Sequence, residues 1–129
     1  MLRRQAATAW AWVGLYAALI FYLSSFSRPL PDPVGKYFQD WMLHGVEYAF
    51  FGILLARALG LSFKDWQPTV VVVLAFVLGT LYGISDEWHQ SFVPERESCA
   101  KDALVDAAAV FFGASIWVWK KKRGNNTLA

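Results

Sequence analysis

Two stretches of the chain place imidazole and carboxylate side chains at spacings that suit proton transfer or metal binding. In the first stretch, His44, Glu47 and Tyr48 stand at positions i, i+3 and i+4 of an apolar segment. Residues three and four apart lie on one face of an α-helix, so these side chains are predicted to project together. Imidazole titrates near neutral pH, and a neighbouring carboxylate can orient it, so such a pair can act as a general acid or base.

The second stretch repeats the pattern. Asp86, His89 and Gln90 have the same i, i+3, i+4 spacing, and Glu87 is turned from Asp86 by about a quarter of a turn. Charged groups close to an apolar segment are costly at membrane depth, so they usually face a bundle interior or water and mark a functional site.

A third group follows the second stretch. Asp102 and Asp106 are about one helical turn apart. Arg96 lies between them and the second stretch, and its planar guanidinium suits a phosphate or a carboxylate. Phe92, just before it, is predicted to be an interfacial residue or part of a pocket wall.

The elements that must position these groups are apolar. The chain has 129 residues, of which 57% are hydrophobic and 17% aromatic, so it is predicted to form one small membrane domain, residues 1–129. Four stretches approach the roughly 20 residues that a helix needs to span a bilayer. We therefore predict an all-α, integral membrane four-helix bundle with helices at about 6–25, 41–60, 69–88 and 102–119.

Basic residues predict the orientation of the bundle. They precede the first stretch, flank the loop between the second and third, and follow the fourth as a tail at 120–123. By the positive-inside rule these regions face the cytoplasm, so both termini are predicted to be cytoplasmic. The first stretch could instead be a cleaved signal peptide, but its length and the interfacial Trp10 and Trp12 favour a spanning helix.

With this topology, separate helices bring their polar groups to one level. The convergence predicts a pocket that opens to the outer leaflet. About one helical turn deeper, Glu47, Tyr48 and Asp106 are predicted to form the floor of this pocket. The residues predicted at its outer level are His44, Asp86, His89, Arg96 and Asp102.

The candidate site residues could instead have purely structural roles. Asp102 could cap its helix, His44 could be interfacial, and Asp86 or Glu87 could pair with Arg96 in a clamp. The excess of acids over cations favours the pocket, since simple pairing needs one acid for each base.

Small residues predict how the helices pack, because helices in lipid associate where their backbones can approach closely. Gly45, Ala49, Gly52 and Ala56 form a stripe on the second helix. The third helix contributes Gly79 and Gly83, and the fourth contributes Ala109 and Gly113.

The polar residues resemble those of the VanZ-like family of small bacterial membrane proteins, over about residues 43–113. The resemblance rests on two strings, His44-x-x-Glu47-Tyr48 followed by Gly52, and Ser85-Asp86-Glu87-x-His89-Gln90-x-Phe92-x-Pro94-x-Arg96 followed by Asp102. The resemblance implies the predicted fold, a location in the membrane, and a site formed by the residues of these two strings. The family's namesake is associated with low-level teicoplanin resistance, and relatives with cell-envelope functions.

The chain departs from the family pattern at two positions. Glu95 stands where the family usually has Gly, and Asp106 where it often has Asn. The first change is expected to stiffen the turn that aims Arg96, and the second adds a negative charge.

The first functional hypothesis is an enzyme that hydrolyses, or transfers a group from, a lipid-linked or amphipathic envelope substrate. The candidate catalytic residues are His44, Glu47, Asp86, Glu87, His89 and Asp102. The candidate substrate-binding residues are Arg96, Gln90, Tyr48, Asp106 and Phe92. A divalent metal is a candidate cofactor, with His44, Glu47, Asp86 and His89 as candidate ligands, because imidazole and carboxylate together suit a transition metal.

Two other classes stay open. A non-catalytic accessory protein would bind a lipid or an antibiotic in the same pocket. A proton-coupled transporter would relay protons through the same side chains, but four helices without repeats suit it less well. All three place a multi-pass protein in the bacterial inner (cytoplasmic) membrane, alone or as an oligomer. Nucleic acid is not an expected partner, since the basic residues follow a topological pattern.

Overall fold

Long helices account for most of the chain that the computed structural model describes, which is residues 2–27, 40–94 and 100–126. Each helix is long and apolar enough to cross a membrane, and these residues contain no strand. The predicted all-α membrane bundle is therefore confirmed, while the orientation of the termini stays a prediction. In chain order the helices are α1 (Leu2–Ser24), α2 (Asp40–Ser62), α3 (Pro68–Gln90) and α4 (Ala100–Asn126).

Three helices extend beyond both ends of the stretch predicted from hydropathy, whereas α1 begins four residues earlier than predicted and ends one residue earlier. The largest difference is in α4, which continues through the basic residues 120–123 that the sequence assigned to a tail. Hydropathy detects only the part of a helix that suits the hydrocarbon core, so polar turns at its ends are missed. The start of α3 has a clear local cause, because Pro68 stands at its first turn, where no amide donor is needed.

The helices alternate in direction. The hydroxyl of Ser24, in the last residue of α1, donates a hydrogen bond of 2.6 Å to Asp86 near the end of α3. Toward the other end of the bundle, the indole of Trp10 in α1 donates to the hydroxyl of Ser62, the last residue of α2, at 3.0 Å. The end of α1 and the end of α3 therefore lie together, and α2 runs antiparallel to both.

The parallel helices α2 and α4 meet backbone to backbone. A Cβ atom at Gly52 would overlap the carbonyl oxygen of Val110 and lie 2.8 Å from its Cα. A Cβ atom at Gly113 would overlap the carbonyl oxygen of Ala49. The stripe of small residues predicted on α2 thus faces α4, and it permits an approach that larger side chains would prevent.

Helix α3 packs on the same region of α4. A Cβ atom at Gly79 would lie 2.6 Å from both Cγ atoms of Val110, whose side chain is fully buried. Tyr82 connects α3 to α1, because its hydroxyl donates a hydrogen bond of 2.6 Å to the carbonyl oxygen of Ala17. Val110 is therefore in contact with both α2 and α3, at the centre of the bundle.

The bundle has a polar interior at one end and apolar outer faces. Among its buried residues are a histidine, three carboxylic acids and a glutamine. Large apolar side chains such as Val46, Phe112 and Leu104 are mostly exposed. This distribution suits lipid around the protein, because the apolar side chains then face hydrocarbon and the polar groups bond to each other.

The contact between α2 and α4 generates a prediction for Gly113→Ala. Because the added methyl group overlaps the Ala49 carbonyl, we expect the free energy of unfolding to fall by about 1–3 kcal/mol, as in overpacked cores. The measurement is equilibrium unfolding of the purified protein in detergent.

The matched control is Gly14→Ala on α1, where an added Cβ meets no atom within 4 Å. That variant should be neutral or more stable by up to about 1 kcal/mol, because alanine is the better helix former. Equal effects of the two variants would contradict the proposed backbone contact.

Candidate functional site

Asp86 is the centre of a buried hydrogen-bond network at the polar end of the bundle. Its Oδ1 accepts from the hydroxyl of Ser24 at 2.6 Å, and its Oδ2 accepts from the amide of Gln90 at 2.9 Å. A longer contact of 3.4 Å joins Oδ2 to the hydroxyl of Tyr48. All four residues are buried, so this network connects α1, α2 and α3, and it supplies Asp86 with donors.

A second group of buried side chains comes from α2, α3 and α4. Nδ1 of His44 lies 3.0 Å from Oδ1 of Asp106 and 4.0 Å from Oε1 of Glu87. His44 is 3% exposed, and Asp106 has no exposed surface. We call these three residues the acid–histidine cluster. A hydrogen bond between imidazole and carboxylate fixes the orientation of the ring, and it also partly compensates for burying the acid.

Gly83 makes room for this cluster. A Cβ atom at this position would lie 3.1 Å from Oδ2 of Asp106 and 3.3 Å from Cε1 of Tyr48. The small residue that the sequence assigned to helix packing therefore also lets α3 pass close to an ionisable group on α4.

His89 lies in a different environment from His44. Its ring packs on Phe21 of α1, with centroids 4.1 Å apart and planes inclined by 30°. Its Nδ1 is buried and has no hydrogen-bond partner within the described part of the chain. The two histidines that the sequence placed together at the outer end therefore belong to separate sites, one sealed and one at a surface.

That surface is an apolar groove between α1 and α3, with a volume of about 340 Å³. Asp86 lies in its lining and is therefore shared by the groove and the buried network. The volume lies within the range of small-ligand sites. We call it the α1–α3 groove, and it is lined by Phe21, Tyr82, Ser85, Asp86, Trp88, His89 and Phe92.

Of the remaining predicted residues, Glu47, Asp102 and Phe92 lie within the described part of the chain. Glu47 and Asp102 are partly buried, and neither belongs to the acid–histidine cluster. Phe92 is 70% exposed at the groove, where its ring contacts Trp88 edge to face. Arg96 falls outside the described residues, so its predicted binding role stays a prediction.

The predicted metal ligands are divided by the fold. Only one of the four, His44, belongs to a group of three residues whose candidate ligand atoms lie within 4.8 Å of one another. The other members of that group are Glu87 and Asp106, which the sequence assigned to catalysis and to substrate contact. Which residues meet depends on helix rotation, which sequence spacing within one helix does not fix.

Sequence reasoning missed Ser24. It belongs to a Ser24-Ser25-Phe26-Ser27 run at the end of α1. A hydroxyl at the polar end of a spanning helix was an available indication, because such groups often bond across helices.

The family comparison covers both of these sites. A family model described as VanZ/LLP1 matches residues 9–121, which includes every residue of the acid–histidine cluster and of the α1–α3 groove. No curated protein and no solved structure matches the chain.

The bond from Ser24 to Asp86 generates a prediction for Ser24→Ala. Removing the donor leaves one oxygen of a buried carboxylate without that partner, so the free energy of unfolding should fall by about 1.5–3 kcal/mol. Equilibrium unfolding in detergent measures the change.

Ser25→Ala is the matched control, because among the described residues the exposed Ser25 hydroxyl donates a hydrogen bond only to the carbonyl oxygen of Phe21, four residues earlier. A loss of less than about 0.5 kcal/mol is expected for such a surface change. If Ser24→Ala were as mild as its control, the hydrogen bond to Asp86 would contribute little to stability.

Proposed function

This chain belongs to the VanZ/LLP1 family, and from the geometry above we propose that it is an enzyme of the bacterial cytoplasmic membrane that acts on a lipid-linked or amphipathic envelope substrate. The hydrocarbon part of the substrate would lie in the α1–α3 groove, and its polar head would lie near Asp86 and His89. The predicted outer position of this end of the bundle would open the groove to the outer leaflet.

The observation that carries this proposal is the position of Asp86. It lies in the lining of an apolar groove and is held by donors from Ser24 and Gln90. An apolar wall beside a fixed polar group suits a substrate with a lipid chain and a polar head. Ligand sites commonly combine apolar walls with a few precisely placed polar groups.

His89 is the imidazole best placed to act on such a substrate. It is only partly buried, it lines the groove, and it stands three residues after Asp86 on the same helix. In a hydrolysis, His89 would take a proton from water while the water oxygen bonds to the phosphorus or acyl carbon of the substrate. The bond to the leaving oxygen breaks, and that oxygen then receives the proton.

The sealed cluster has a different part in this proposal. His44 and Asp106 have almost no exposed surface, so they would support Asp86 and the helix ends rather than contact substrate. Arg96, for which the family resemblance predicts a role, would bind the phosphate or carboxylate of the head group.

A non-catalytic accessory protein is the second candidate. The groove is mostly apolar and needs no chemistry to hold a lipid chain, while the buried histidine is sealed from it. Such a protein would bind an envelope lipid or a glycopeptide antibiotic, which would connect it with the teicoplanin resistance associated with the family's namesake.

The test of catalysis uses His89→Gln in the full-length protein, reconstituted into vesicles that contain a polyprenyl diphosphate. Loss of a general base typically costs about 10²–10⁴-fold in rate, so phosphate release should fall by that factor while binding of the lipid is retained. The measurements are phosphate release and co-purification of the lipid. Binding without any phosphate release by the unaltered protein would favour the accessory role.

The test of the groove uses Trp88→Ala in the same vesicles. Trp88 is 70% exposed at the groove, and losing its contact with a lipid chain should weaken binding about tenfold. Phe112→Ala is the control, because Phe112 is an exposed aromatic residue of α4 outside the groove lining. Equal weakening by both variants would mean that the groove is not the binding site.

A further inference from the structure

Three helices each contribute one potential metal ligand to the same buried place. The acid–histidine cluster consists of His44 from α2, Glu87 from α3 and Asp106 from α4, all buried. Their candidate ligand atoms lie within 4.8 Å of one another. Imidazole nitrogen and carboxylate oxygen are ordinary ligands of zinc and similar divalent ions.

The distances suit a tetrahedral ion after small side-chain movements. Ligand atoms at about 2.0–2.2 Å from zinc lie about 3.4 Å from each other in that geometry. Nδ1 of His44 is 3.0 Å from Oδ1 of Asp106 and 4.0 Å from Oε1 of Glu87. One separation is slightly shorter than the ideal value and the other slightly longer.

An independent observation is the second oxygen of Asp106. The residue has no exposed surface, and its Oδ2 has no hydrogen-bond partner within the described part of the chain. Buried polar atoms are nearly always bonded, so such an atom calls for an explanation. Asp86 contrasts with it, because both of its oxygens accept hydrogen bonds.

The charges of the three side chains also suit such an ion. A divalent cation between Glu87 and Asp106 would offset the repulsion between the two buried carboxylates, and opposite charges are less costly to bury together than like charges.

We propose that His44, Glu87 and Asp106 form a binding site for a divalent transition-metal ion of the zinc type. The ion binds Nδ1 of a neutral His44, whose ring proton then lies on Nε2. It also joins α2, α3 and α4 at the polar end of the bundle. Three protein ligands leave a fourth position for water in a tetrahedral ion. This metal site is a separate proposal from the groove chemistry described above, and it does not depend on that chemistry.

The first test uses the unaltered full-length protein in detergent, so it needs no variant. The protein is stripped with a chelator, and then titrated with Co²⁺, whose visible absorption reports its coordination, and with Zn²⁺. We expect one equivalent of either ion per chain, and a higher unfolding temperature with Zn²⁺ than after chelation. No uptake by the stripped, folded protein would overturn the proposal.

The second test uses Asp106→Asn, which retains an oxygen to accept the hydrogen bond from His44 but removes the charge. His44→Gln removes the imidazole. Loss of a residue that only orients a metal ligand lowers metal affinity by up to roughly 100-fold. Loss of the ligand itself should lower the affinity at least as much. Each variant should therefore bind Zn²⁺ about 100-fold more weakly or worse, and lose the Co²⁺ spectrum.

The matched controls are His89→Gln and Glu47→Gln, which remove the other histidine and the acid one turn from His44. Both should retain Zn²⁺ affinity within about twofold. Metal binding that survives Asp106→Asn and His44→Gln, or that is lost in His89→Gln, would overturn the site. Since His89→Gln is expected to lose turnover but keep the metal, failure of the groove chemistry and failure of the metal site are distinguishable.

Discussion

Direct backbone contact between α2 and α4 sets the distance between the ionisable groups that these helices carry. The contact occurs at Gly52 and Gly113. His44 and Asp106 each stand about two helical turns before these glycines. Because the helices run in parallel and already touch there, the two side chains meet at 3.0 Å. A larger residue at either glycine would separate the helices and weaken this bond.

The cost of burying charge explains how the polar end is organised. Hydrocarbon supplies no hydrogen bonds, so each buried acid must obtain them from other groups of the protein. Asp86 obtains them from Ser24 and Gln90, and Asp106 from His44. Each bond between helices joins two of them at a defined depth and rotation. Polar residues thus determine the arrangement at this end, whereas small residues determine it near the middle.

The two histidines illustrate how one bundle can contain two environments at the same level. His44 is sealed between helices and bonded to an acid, while His89 packs on Phe21 in the α1–α3 groove. Asp86 connects these environments, since it belongs to the groove lining and to the buried network. A substrate in the groove would therefore contact one residue of a network that reaches across the bundle.

The sequence by itself determined the helices and the end at which the polar residues gather. Apolar length predicts spanning helices, and the spacing of His44, Asp86 and Asp102 on alternating helices predicts convergence. The small residues at Gly52 and Gly113 predicted close packing. These properties are local, or follow from chain direction, so one sequence is sufficient for them.

Only the tertiary structure decided which polar side chains meet. Spacing grouped Glu47 with His44 and His89 with Asp86, because it compares residues of one helix. The fold brings Glu87 and Asp106 to His44 and Ser24 to Asp86, and it keeps His89 with Asp86 in the groove lining. The rotation and depth of each helix determine which polar side chains meet. Both depend on the packing of glycines such as Gly83 against the neighbouring helix. That packing involves residues far apart in the chain, so the pattern within a single helix does not reveal it.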